Sequence, residues 1–126
     1  VGAVTLLALL QFVVMGIMVG RARGVYGVKA PATTGHEQFE RWFRVHYNTL
    51  EKLIVFLPSL WLFGYYVGQY YAAGLGGIYL IGRLLYAVTY TRDPATRGLG
   101  TLLSDLPMVI MLLGGLIAII LEGIHR

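Results

Sequence analysis

The longest stretch of the chain without a charged side chain runs from Leu53 to Gly82. As one α-helix its 30 residues would extend about 45 Å, whereas the hydrocarbon core of a bilayer is about 30 Å thick. Such a stretch is therefore too long for one untilted span. Glycines within it indicate a tight turn, at or between Gly64, Gly68, Gly74, Gly76 and Gly77. We predict two successive spans here, the first of which ends near Gly68.

Two further apolar segments complete a predicted all-α membrane protein, a bundle of four transmembrane helices. Hydrophobic residues make up 57% of the 126-residue chain and charged residues 13%, against about 25% charged in soluble domains. The first segment is followed by Arg21 and Arg23 rather than by a small-residue cleavage site, which favours a retained span over a signal peptide. The predicted spans are residues 1–20, 38–68, 72–90 and 101–123, in a single domain covering 1–126.

Seven of the ten lysines and arginines lie in the polar stretches that follow the first and third predicted spans. Those after the first span are Arg21, Arg23, Lys29, Arg41 and Arg44, and those after the third are Arg92 and Arg97. The turn after the second span carries none. The positive-inside rule then makes both charged connections cytoplasmic, and a bacterial inner membrane is the expected location. This placement favours a role at the membrane surface over nucleic-acid binding for the net charge of +4.

The residue types also limit the chemistry. The chain has no cysteine, which excludes disulfides, thiolate metal sites and a cysteine nucleophile. Its three histidines are too scattered to form a recognisable metal motif. We therefore expect no metal cofactor.

A polar face begins the second predicted helix. Arg44, Asn48 and Glu51 are spaced i, i+4 and i+7, so they lie on one side of that helix. One interpretation is a network within the helix that only solvates its end. The alternative is a clamp for a small zwitterionic ligand.

A second polar stripe lies on the third predicted span. Tyr79, Arg83, Tyr86 and Tyr90 follow one another at helical spacing, and Arg97 comes about two turns later if the helix continues past Pro94. An interfacial aromatic belt with a snorkelling arginine would explain many such patterns. Tyr79 and Arg83 lie deeper than a belt requires, however. With the first polar face, the stripe would suit a tripeptide that has two carboxylates, an ammonium and a thiol, because arginines bind carboxylates bidentately.

Several spaced motifs together resemble one family. They are Arg-x-x-x-Asn-x-x-Glu (Arg44, Asn48, Glu51), Phe-Leu-Pro-x-Leu-Trp (56–61), Gly-Arg-x-x-Tyr-x-x-x-Tyr (Gly82, Arg83, Tyr86, Tyr90), Arg97, and upstream Ala22-Arg23, Pro31, Thr33-Thr34-Gly35 and Phe39-Glu40-Arg41. The chain is similar to the MAPEG family, the membrane-associated proteins of eicosanoid and glutathione metabolism. Within that family it most resembles the branch of the type-two microsomal glutathione transferases and the leukotriene-conjugating synthases.

The resemblance implies a homotrimer of four-helix subunits that binds glutathione between neighbours, near the cytoplasmic side. It implies glutathione as co-substrate and a lipophilic electrophile that arrives through membrane lipid, with lipid hydroperoxides as an alternative acceptor. By this resemblance, the residues that would contact glutathione in this chain are Arg23, Arg44, Asn48, Glu51, Tyr86 and Tyr90, with Arg83 beside them. Arg97 matches the arginine that holds the sulfur as thiolate, which makes it the catalytic residue.

Two positions depart from the family pattern. Gly24 stands where the synthase carries a second arginine, which argues against a dedicated leukotriene synthase. Lys52 stands where those relatives have an aromatic residue. A further acidic residue, Asp105, is expected to pair with Arg92 or Arg97, or to act as a charge near a helix N-terminus.

Two rival functions remain open on the sequence. A non-catalytic lipid-presenting protein of the same fold would need no thiolate stabiliser such as Arg97. A small four-span transporter would use Glu51 as its proton or substrate carboxylate, which leaves Tyr86 and Tyr90 without a role.

Overall fold

The structure is a computed structural model that describes residues 1–125 of the chain. This part forms four α-helices and one short 3-10 helix, without strands. The elements are α1 (Gly2–Tyr26), α2 (Glu37–Tyr66), α3 (Gln69–Arg92), the 3-10 helix Pro94–Thr96, and α4 (Gly98–Ile124). The predicted fold class, an all-α membrane protein with four helices, is confirmed.

Helices α2 and α3 each pack against the other three helices of the bundle. The buried apolar side chains of α2 recur at helical spacing and form one stripe: Leu53, Phe56, Leu60 and Phe63. This stripe packs against Met111 of α4 and residues of α1 and α3 to form the main hydrophobic core. The outer faces of the helices remain apolar and exposed, as expected of surfaces that contact lipid rather than water.

Helices α3 and α4 approach each other closely at two glycines. A Cβ placed on Gly82 would lie 2.5 Å from the backbone nitrogen of Ser104, and one on Gly100 would lie 2.5 Å from that of Tyr86. Only hydrogen fits at either position, which is how small residues let membrane helices pack backbone to backbone. The crossing fixes the height of α4 against α3. The Gly114–Gly115 pair of α4 lies beside Phe63 of α2.

The helix boundaries differ from the predicted spans in two places. Helix α1 continues six residues beyond Gly20, to Tyr26. Gly27 caps its C-terminus with a φ of 69°, the left-handed conformation that favours glycine at this position. Arg21 and Arg23 therefore belong to α1 and not to a connection. The turn between α2 and α3 is only Val67–Gly68, so the glycines at 74, 76 and 77 lie within α3.

Three helices, α1, α3 and α4, are long and apolar enough to cross a membrane by length and composition. Helix α2 was predicted to span as well, but it does not meet that criterion because the charged stretch from Glu37 to Lys52 occupies its first half. Helix α3 ends at Arg92. The condition for Arg97 to continue the α3 stripe, a helix that runs past Pro94, is therefore not met: Asp93–Pro94 ends the helix, and Arg97 is the N-cap residue of α4.

Candidate functional site

One pocket, formed by α2, α3 and the start of α4, brings together six of the eight predicted site residues. Its volume is about 190 Å³. The lining residues are Arg44, Asn48, Lys52, Arg83, Tyr86, Tyr90, Arg97 and Thr101. Two of these, Lys52 and Thr101, were not predicted as site residues.

The lining residues descend the pocket in three levels, each about one helical turn below the last. The outer level holds Arg44, Tyr90 and Arg97, the middle level Asn48, Tyr86 and Thr101, and the inner level Lys52, Arg83 and Asp105, the ion-pair partner of Lys52. The packing of Gly100 against Tyr86 and of Gly82 against Ser104 sets this alignment of α3 with α4. The pocket thus carries cations at its mouth and at its deep end.

Arg83 is the most deeply buried charged side chain of the pocket, with 1% of its surface exposed. Its Nη2 donates a 2.7 Å hydrogen bond to Oγ1 of Thr49, and its guanidinium carbon lies 4.4 Å from the centre of the Tyr86 ring. Within residues 1–125 it forms no ion pair with a carboxylate. Arg83 therefore adds to the pocket lining a positive charge that has no ion-pair partner among the described residues.

Thr49 is the residue of this network that the sequence reasoning missed. Its hydroxyl donates 2.8 Å to the carbonyl oxygen of Val45 and accepts from Arg83, so both sides of the hydroxyl are used. One feature of the sequence could have indicated Thr49. It is a hydroxyl residue next to Asn48, and it lies on the same side of α2 as Val45 and Leu53, which are buried.

Replacing Thr49 with valine keeps the volume and removes the acceptor for Arg83. A buried charged donor without a partner costs about 1–3 kcal/mol or more. We therefore expect Thr49→Val to lower the midpoint of thermal unfolding in detergent, while Thr49→Ser, which keeps the hydroxyl, stays near wild type. Equal midpoints for the two variants would show that the bond to Arg83 does not stabilise the fold.

The tyrosine stripe on α3 divides into two parts. Tyr79 stacks on Phe56 in the core, with ring centres 3.7 Å apart, and does not line the pocket. Tyr86 and Tyr90 stack on each other at 5.4 Å and do line it. Tyr79 and Tyr86 are 1% and 5% exposed. An interfacial aromatic belt therefore does not account for these two side chains.

Arg97 reaches the pocket from the N-terminal end of α4. It occupies the N-cap position, and its carbonyl oxygen accepts the first helical hydrogen bond, 3.0 Å from the nitrogen of Thr101. The unpaired N–H groups of a helix N-terminus favour a nearby anion. The exposed guanidinium and this helix terminus together make the outer level a suitable place for a negatively charged group.

Two of the predicted glutathione-binding residues on α2, Arg44 and Glu51, form a loose ion pair. Nη1 of Arg44 lies 3.8 Å from Oε1 of Glu51, and the two side chains are 55% and 52% exposed. An exposed pair at that distance is worth little, at most about 1 kcal/mol. The pair corresponds to the network within one helix that the sequence allowed. It is weak enough to open for a ligand that brings both a carboxylate and an ammonium.

Arg23 lies outside the pocket. Its Nη1 donates to the carbonyl oxygen of Ala32 at 2.7 Å, and its guanidinium carbon lies 4.7 Å above the Phe39 ring. Glu51 likewise is not a lining residue. Arg23 and Glu51 are therefore the two of the eight predicted site residues that do not line the pocket within a single subunit.

Asp105 pairs with Lys52, whose Nζ lies 2.9 Å from its Oδ1. Pairing with Arg92 or Arg97, one of the two roles that the sequence left open for Asp105, is therefore not what the structure shows. One turn of α2 brings Lys52 below Asn48, and two turns of α4 bring Asp105 below Arg97, so the two meet at the inner level. Within the described residues no group of three or more histidine, cysteine or acidic residues is placed to hold a metal ion.

The fold and the pocket define a helical membrane protein with a cation-rich polar site at one end of its bundle. Comparison with known proteins gives the family: residues 1–117 match the MAPEG family, and the chain belongs to it. It is 49% identical over 117 residues to an uncharacterized protein of Synechocystis sp., covering 93% of this chain and 85% of that one.

Two named groups of relatives are also similar. Microsomal glutathione S-transferase 2 of Homo sapiens is 38% identical over 115 residues, which are 90% of this chain and 78% of the human protein. Leukotriene C4 synthase of Cavia porcellus is 39% identical over 94 residues, which are 75% of this chain and 63% of that one. The resemblance inferred from the motifs, to the MAPEG family and to this branch, is confirmed.

Proposed function

We propose that the chain is an integral-membrane glutathione transferase that conjugates the glutathione thiolate to lipophilic electrophiles. The observation that carries the proposal is the pocket in which Arg44, Asn48, Tyr86, Tyr90 and Arg97 meet. Relatives named as a glutathione transferase and as a leukotriene C4 synthase support the same class of reaction.

The charge of the pocket suits glutathione in its reactive form. Among the described residues, four cations line the pocket and two carboxylates pair with them, which leaves a net charge of +2. Glutathione with an ionised thiol has two carboxylates, one thiolate and one ammonium, a net charge of minus two. Electrostatic complementarity of this kind favours the thiolate over the neutral thiol.

Arg97 is the proposed catalytic residue. A free thiol has a pKa of about 8.5, so only a few per cent of it is thiolate at pH 7. A guanidinium beside the sulfur remains protonated and lowers the pKa of that thiol. The helix N-terminus that carries Arg97 acts in the same direction. The same thiolate would also attack a lipid hydroperoxide.

A homotrimer is part of the proposal. At about 190 Å³ the pocket is smaller than the roughly 300–1,000 Å³ of typical ligand sites. It therefore encloses only part of a tripeptide. Arg23 on a neighbouring subunit would complete it, since Arg23 has no role in the pocket of its own subunit. The electrophile would arrive through the bilayer, in a bacterial inner membrane whose cytoplasmic side bears the charged connections.

Turnover in detergent-purified protein tests the activity directly. With chlorodinitrobenzene as acceptor we expect glutathione-dependent conjugation above the uncatalysed rate. No turnover, together with binding of a fatty acid, would favour the lipid-presenting rival. Proton-coupled efflux from vesicles that is lost in Glu51→Gln, without thiol chemistry, would favour the transporter. A single species at three times the subunit mass in native mass spectrometry would support the trimer.

The role of Arg44 in binding is tested by Arg44→Met. Loss of a charged hydrogen bond to a ligand carboxylate typically costs about 1.5–3 kcal/mol, which corresponds to a weakening of roughly 10- to 150-fold. Calorimetric titration with glutathione measures this loss. Arg21→Met, at an exposed arginine outside the pocket, is the matched control and should bind as wild type does. Equal affinities for the two variants would remove Arg44 from the site.

A further inference from the structure

The Lys52–Asp105 ion pair lies at the inner level of the pocket, and neither residue has a role in the proposed function described above. It joins α2 to α4 with a 2.9 Å contact, and its side chains are 26% and 33% exposed. An ammonium has three N–H donors. One of them is used by Asp105, which leaves two for a ligand in the pocket that Lys52 lines.

The other pocket cations are already occupied under the proposed function, on which this inference rests. Arg97 faces the sulfur. Arg44 and Glu51 together suit the end of glutathione that carries both a carboxylate and an ammonium. Arg83 is buried behind Tyr86 and bonded to Thr49. Within the described part of the pocket, Lys52 is the cation left for the second carboxylate, that of glycine.

Lys52 lies on the same side of α2 as Arg44 and Asn48, eight and four residues beyond them, and all three line the pocket. A ligand that contacts Arg44 or Asn48 inside the pocket therefore lies beside the Lys52 side chain.

We propose that Lys52, held in place by Asp105, is the residue that binds the glycine carboxylate of glutathione in this chain. Asp105 fixes the ammonium at the deep end of the pocket and partly neutralises it, which limits the cost of keeping a charge there without ligand. Lys52 is then a specificity determinant for the thiol substrate.

The glycyl ethyl ester of glutathione tests this assignment, because it differs from glutathione in the one carboxylate concerned. We expect the wild-type protein to bind glutathione at least about tenfold more tightly than the ester. In Lys52→Met the affinity for glutathione should fall to that for the ester, so that the ratio approaches one. Lys52→Arg should keep most of the preference, and Lys29→Met, at an exposed lysine outside the pocket, all of it.

A purely structural ion pair would change the unfolding temperature but not the ratio of the two affinities. If Lys52→Met does not fold, the double variant Lys52→Met with Asp105→Leu removes both charges and leaves no unpaired carboxylate. The same loss of preference is expected there. Retention of the preference in folded Lys52→Met, or in the folded double variant, overturns the proposal, and its loss in Arg23→Met alone assigns the glycine carboxylate to Arg23. Absence of glutathione binding in the wild-type protein overturns the proposed function as well, a distinguishable result.

Discussion

Arg97→Ala should abolish most conjugation while glutathione still binds. The guanidinium is exposed at the mouth of the pocket, at the N-terminus of α4, and no other described residue pairs with it. If it lowers the pKa of the thiol by about two units, its removal returns most bound glutathione to the thiol form at neutral pH. The thiolate fraction at pH 7 then falls from about three quarters to about 3%, so the turnover rate at saturating glutathione falls about 25-fold.

The measurement is the ultraviolet absorbance of the thiolate on mixing glutathione with the protein, followed with the rate of conjugation at several pH values. In Arg97→Ala the absorbance should be lost at neutral pH and return as the pH rises above about 8.5, because the unassisted thiol ionises there. Activity should recover over the same range. Arg92→Ala, at an exposed arginine outside the pocket, is the control. A thiolate signal that survives Arg97→Ala at neutral pH would exclude the assigned role.

Gly100→Ala should have the largest effect on the fold of the site. The added Cβ would lie 2.5 Å from the backbone nitrogen and 2.6 Å from the Cα of Tyr86. Backbone atoms within a helix cannot rotate away, so α3 and α4 must move apart at the middle level of the pocket. Overpacking of this kind typically costs about 1–3 kcal/mol. The displacement of Tyr86 should also weaken glutathione binding.

Gly98→Ala is the matched control on the same helix, two residues away. No atom lies within 4 Å of a Cβ at Gly98, so this change adds a methyl group in open space. Thermal unfolding in detergent and calorimetric titration compare the two variants. We expect a lower unfolding midpoint and weaker glutathione binding for Gly100→Ala alone. Equal behaviour would mean that the helices tolerate separation at this crossing.

The sequence predicted the helices of this protein well because their signal is local. Long apolar runs bounded by charged connections indicate membrane helices wherever they occur in a fold. The helix ends that were predicted imprecisely depend on single residues. Gly27 ends α1 through its positive φ, while Gly74, Gly76 and Gly77, which look the same in sequence, lie within a helix.

For the candidate site, too, the sequence predicted the local relationships between residues but not the contacts between distant segments. Helical spacing was enough to predict that Arg44 and Asn48 share a face and that Arg83, Tyr86 and Tyr90 share another. Their assignment as glutathione contacts stays a prediction that the variants above test. Spacing gave no means to see that Thr49 holds Arg83, because that contact joins residues 34 positions apart.

The sequence by itself determined that this is a helical membrane protein, and its spaced polar motifs indicated the MAPEG family. The tertiary structure alone decided which charges meet. Asp105 is nearer in sequence to Arg97 than to Lys52, yet it pairs with Lys52, because Arg97 lies two turns away along the same helix while the packing of α4 against α2 brings Asp105 level with Lys52. In a bundle of long helices, the partner of a charge depends on the relative height of neighbouring helices. That height is fixed by packing between segments far apart in the chain.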